Sequence, residues 1–226
     1  MNFHEAARNE KILSICTVLV CSALFVVCIT VAKDINSIIL FAFIEPVLIS
    51  CVMPFLLRSY STQNSPFITI LRPLTETVVF IVILGFFAIL LGVIQGYVLS
   101  AALSTLFMAS FALLITGITV FFSLLFSVSL GQVISAIISF LIISAPFYLS
   151  YILRIVPSGM KLSVAQAVVN INPITAVSAS VLEFDWLRSP RMYSICPIGG
   201  EQFPFYYPSA VKVAIIYFIC GLLLLG

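Results

Sequence analysis

The chain has 226 residues, a formal net charge of +2, 62% apolar residues and 8% charged residues. Soluble domains carry about 25% charged residues, so a water-soluble globule is excluded and lipid must cover much of this surface. The small charge, with no run of Lys or Arg, gives no basis for a nucleic-acid partner.

Six long apolar runs follow one another. A helix crossing the hydrocarbon layer needs about 20 apolar residues, and continuous rather than alternating apolarity selects helices over a barrel. The runs predict spans at about 12–32, 35–57, 74–94, 98–127, 133–153 and 209–226. The fold class expected is therefore an all-α polytopic membrane protein forming one domain, 1–226. The first run is read as a retained span, because Cys28-Ile29-Thr30 is a poor cleavage site for a signal peptide. Glu45-Pro46 interrupts the second run. Residues 58–73 form a polar connection, in which Ser65-Pro66 is suited to start a short helix and Pro73 to start the next element. Gln95-Gly96-Tyr97 turns the chain, and Gly131-Gln132 marks a weak break before the fifth run.

Short-loop cations set orientation. Arg8, Lys11, Arg58 and Arg72 fall on one side against Lys33 on the other, which predicts a cytoplasmic N-terminus. The long segment 154–208 is then external. Within it, Ser163-Val164-Ala165-Gln166 matches a capping box, and Asn172-Pro173 places a good cap before a proline at the first helical position. Trp186, Tyr193, Tyr206 and Tyr207 suit the interfacial belt. The segment is expected to lie on, or dip into, the outer leaflet.

The chemistry that is missing narrows function. The single histidine is His4, there is no HExxH or Cys/His ligand set, and no GxxxxGK[ST] occurs. Five of the six cysteines lie inside apolar runs, where Cys acts as a small apolar residue. No catalytic, cofactor-binding or metal-binding residue is expected. Glu45 is the one clear mid-span carboxylate; it is either a polar point on a pathway or a subunit contact, or a group that locks helix packing. Ser123, Ser127, Gly131, Ser135 and Ser139 recur every fourth residue, a spacing suited to close helix packing or to a dimer interface.

Leu71-Arg72-Pro73-Leu74-Thr75, Ser123-Leu124-Leu125-Phe126-Ser127 and Asn172-Pro173-Ile174-Thr175-Ala176 resemble, in that order, the entry to the third span, the end of the fourth and the external element of type-2 ABC exporter permeases. The six-run layout resembles that family over most of the chain. Basic residues that the family carries after its fourth span are absent here. The resemblance implies a permease subunit in the plasma (bacterial inner) membrane. Its partners would be membrane lipid, a second permease chain and a separate P-loop ATPase subunit that carries ATP and Mg. It implies ATPase coupling through the N-terminal segment 3–11 and through Arg58, Ser65, Pro66, Phe67, Ile68, Leu71 and Arg72. It also implies a pathway or gate near Glu45, Pro46, Tyr148, Asn172 and Pro173. The alternatives are an ATP-independent channel or secondary transporter, and a structural subunit of a membrane complex.

Overall fold

The computed structural model describes Ser22, Ala23, Val26, Val27, Thr30 and residues 37–57, 66–189 and 205–226. Among these residues all regular structure is helical: α1 (Ser37–Leu56), α2 (Pro66–Gln95), α3 (Val98–Leu125), α4 (Val128–Ile155), a 3-10 turn (Ser158–Met160), α5 (Lys161–Ile171), α6 (Pro173–Ser180) and α7 (Ala210–Leu225). Helices α1 to α4 are long and apolar enough to cross a membrane, and α5 with α6 forms a pair bent by 76° that passes the same test together. The chain is an all-α polytopic membrane protein.

Four to five such elements are described, not six. The first expected span, 12–32, lies outside the described residues apart from five helical positions. The last, α7, has 16 residues. At 1.5 Å per residue it covers about 24 Å, less than the roughly 30 Å of a hydrocarbon core.

Helix α3 is the hub, packing against α1, α2, α4, α6 and most extensively α7. The reason is steric. A Cβ added at Gly117 would lie 2.6 Å from Gly221 O, and one added at Gly221 would lie 2.9 Å from Leu113 O. Two glycines thus bring the backbones of α3 and α7 together, as small residues do in membrane helix pairs. Hydroxyls reinforce the bundle. Thr77 and Thr116 are in hydrogen-bond contact at 2.7 Å between α2 and α3, and Thr119 donates to Ser135 Oγ at 2.7 Å between α3 and α4.

Three expected boundaries move. Pro73 does not begin an element; it lies inside α2. Pro73, Thr77, Phe80 and Leu84 are buried at helical spacing, and Thr77 Oγ1 donates to Pro73 O at 2.7 Å, so packing carries the helix through the proline. The reversal between α3 and α4 is at Phe126-Ser127, not at Gly131-Gln132. Ser127 Oγ accepts from Leu130 N at 3.4 Å. Gly131 serves close approach instead, since a Cβ there would lie 2.5 Å from Ser123 N. The four-residue row is thus folded back on itself, and Ser123, Gly131, Ser135 and Ser139 pack within the chain. Ser163 does not cap α5, which begins at Lys161 with Met160 at its cap position and no side-chain cap bond. The expected turn at Gly96 is present, with φ +78°, a backbone conformation that glycine adopts without penalty.

We call the face carrying Gln95, Ile155 and Ser209 upper and that carrying Leu57, Leu125 and Leu225 lower.

Candidate functional site

The re-entrant pair α5–α6 enters from the upper face. Its elbow, Asn172-Pro173, is assembled from proline chemistry. A proline lacks an N–H, so the carbonyl four residues before it loses its helical partner. Pro173 releases Val169 O in this way, and Thr175 Oγ1 donates to it at 2.5 Å. Pro146, inside α4, releases Ile142 O. Asn172 Nδ2 donates to Ile142 O at 3.0 Å and to Ile143 O at 2.7 Å. Asn172 Oδ1 simultaneously accepts from Thr175 N at 3.1 Å, which is the helix cap expected from the sequence. The last carbonyl of α5, Ile171 O, accepts a hydrogen bond from the Tyr217 hydroxyl of α7. Side chains of α6 and α7 thus close two carbonyls of the bend, and Asn172 closes the one that Pro146 opens in α4, as buried backbone demands.

The elbow reaches deep into the bundle. Gln132 Nε2 donates to Leu57 O at 2.7 Å, Ser139 Oγ to Ser50 O at 3.5 Å, and Trp186 packs between Phe43 (5.4 Å) and Phe147 (6.1 Å). These pairs set the antiparallel register of α1 and α4. That register brings Glu45 and Pro46 level with Ile143 and Ser144, the height at which Asn172 is pinned. Glu45, Pro46, Asn172 and Pro173 therefore share one level of the bundle. Glu45 is fully buried, and neither carboxyl oxygen has a hydrogen-bond partner among the described residues. Pro173, Ile174, Thr175, Ala176, Val177 and Ser178 are all buried, so the first six residues of α6 form a plug, and only its end at Ser180 is exposed.

The other expected site residues lie elsewhere. Tyr148 is 49% exposed on the outside of α4. Arg58 and Ser65, like the segment 3–11, lie outside the described residues. Pro66, Phe67 and Ile68 form the first turn of α2 at the lower face. Leu71 is exposed beside Arg72, whose Nε pairs with Glu76 Oε1 at 3.3 Å. Trp186 is not in an exposed belt; it is 3% exposed beneath the upper cap. Tyr193 lies outside the described residues. Pro146 and Tyr217 were not singled out from the sequence, and Thr175 was noted only as part of the element at 172–176. A proline in the fifth run, 26 residues before an Asn-Pro, was the available signal.

A polar clasp closes the upper face. Asp185 Oδ2 accepts from Arg188 Nη1 at 3.2 Å, and Asp185 Oδ1 accepts from Arg188 N at 3.0 Å and from the Tyr207 hydroxyl. Arg188 Nη2 donates to Phe205 O at 3.3 Å, and the guanidinium lies 4.9 Å from the Phe205 ring centre. Burial, and then the hydrogen bond to Asp185, raise the Tyr207 hydroxyl above the ordinary tyrosine range. Ser180 Oγ accepts from Ala210 N at 3.1 Å, so α6 caps the start of α7.

The fold and site define a helical, multi-pass membrane protein with a bent helix pair whose elbow stands level with a buried carboxyl. No family model matches the chain, and neither a curated protein nor a solved structure matches it.

Proposed function

We propose that this chain is the permease subunit of an ATP-driven exporter of the type-2 ABC kind, set in the plasma membrane with its N-terminus cytoplasmic. One observation supports this reading most. A bent helix pair stands between the fifth and last apolar runs, and its elbow is seated level with Glu45. In a permease, such a pair forms a gate whose movement opens a route past the carboxyl. Two chains would enclose the pathway, and separate P-loop subunits would hydrolyse ATP beneath the lower face. The start of α2, from Pro66 to Arg72, is the described part of the surface they would push. Nothing on this chain is assigned a catalytic role.

Affinity purification in mild detergent, with mass spectrometry and an ATPase assay, tests the reading. A co-purifying P-loop ATPase whose activity is lost on deleting residues 61–71 is expected. A clean homo-oligomer without an ATPase overturns it.

Glu45 favours a second reading, that of a transporter driven by a cation gradient, because its buried carboxyl has no partner among the described residues. Transport into proteoliposomes that follows a proton or sodium gradient without ATP, and stops in Glu45→Gln, would select that reading.

A further inference from the structure

A second concavity lies at the upper face, away from Glu45. It is a groove of about 350 Å³ between α5, the return segment 205–209 and the first two turns of α7. Its walls are fixed. Gln166 Nε2 donates to Tyr206 O at 2.7 Å and to Asn170 Oδ1 at 2.8 Å, and Gln166 Oε1 accepts from Tyr206 N at 2.9 Å. Two of the lining tyrosine hydroxyls are committed elsewhere: Tyr207 to Asp185 and Tyr217 to Ile171 O.

The groups left over are of one kind. Lys212 lines the groove, is exposed and has no ion pair among the described residues. Asn170 keeps its amide Nδ2 free, and Ser209 adds a hydroxyl. Among the described residues no Asp or Glu lines the groove. Lys212 also stands in the first turn of α7, where the helix dipole disfavours a cation. An anion in the groove would offset that repulsion. The groove is continuous with apolar surface, since Ile171 and Ile216 line it and are 48% and 57% exposed. An ion in water would gain nothing from that wall; an acyl chain would.

We propose that this groove binds the phosphate headgroup of an anionic membrane phospholipid. Lys212 and the Asn170 amide hold the phosphate, and the exposed face of α7 holds the chain. The site does not rest on the exporter reading, and it stands whether or not that reading fails.

The test uses the full chain in uncharged detergent. Binding of phosphatidylglycerol is followed by native mass spectrometry and by the shift in melting temperature. Phosphatidylcholine and inorganic phosphate are titrated in parallel. Phosphatidylglycerol is expected to bind more tightly than phosphatidylcholine. Lys212→Gln is expected to weaken it about fivefold, the effect of one cation near an anionic lipid. Lys212→Arg is expected to restore binding, and Lys161→Gln, on the same face, to leave it unchanged. Equal loss in Lys161→Gln would mean diffuse attraction and would overturn the site. So would unchanged binding in Lys212→Gln, or inorganic phosphate stabilising the protein as well as the lipid does. Asn170→Ala supplies a second variant, expected to weaken phosphatidylglycerol while leaving phosphatidylcholine alone.

Discussion

At the scale of single residues, the elbow is a problem of orphaned carbonyls solved by amide and hydroxyl donors. Asn172 both caps α6 and donates twice to α4. Asn172→Ala removes the cap and strands two acceptors, a cost of about 2–4 kcal/mol. Asn172→Asp keeps the cap but cannot donate, and is expected to be nearly as damaging. Thermal unfolding in detergent reads both. Glu45 has the opposite balance. Burying a polar group without a partner costs stability, so Glu45→Leu is expected to raise the melting temperature. A lower melting temperature would show that the carboxyl locks packing instead. Tyr207 carries a pH signature. Its protonated form is favoured in the folded chain, so the clasp is fully present below the ordinary tyrosine pKa of about 10 and is lost only as pH rises beyond it. Absorbance titration of the wild type should therefore show a late phenolate component that is absent in Tyr207→Phe.

Helix contacts depend on small residues at crossing points. Valine at Gly117 or Gly221 would force α3 and α7 apart, since even a Cβ at Gly117 meets backbone at 2.6 Å. Overpacking of this kind costs about 1–3 kcal/mol, and both variants should unfold earlier and lose α7 docking, detected by faster proteolysis of 181–189. How much of this was legible varied with the physics involved. Apolar runs located α1 to α4 because lipid demands a continuous helix. Asn172-Pro173 was legible because capping is local. The boundary at Pro73 and the α3–α4 turn were misplaced, because Pro73 and Gly131 have two opposite uses. Each ends a helix when exposed and permits close packing when buried, and only the tertiary partner decides. The link between Pro146 and Asn172 was invisible for the same reason: it joins residues that no local rule pairs.

Across the whole molecule, the two faces are unlike. The described lower face has Arg72 paired with Glu76, whereas the upper face gathers Arg154, Lys161, Asp185, Arg188 and Lys212. A membrane-impermeant thiol reagent should label Ser158→Cys and Ser189→Cys from one side and Thr75→Cys only from the other. Labelling of all three from the same side would contradict the register of α2 against α4.

The Tyr217 bond to Ile171 O has a consequence for how the protein is made. Ribosomes deliver α5 and α6 before α7 exists, and hydrocarbon does not tolerate a bend with open carbonyls. The hairpin must therefore wait at the water boundary until α7 arrives with its hydroxyl. Docking of the hairpin thus follows synthesis of α7, and a nascent chain halted before residue 210 should leave 161–180 open to protease while α1 to α4 are already protected.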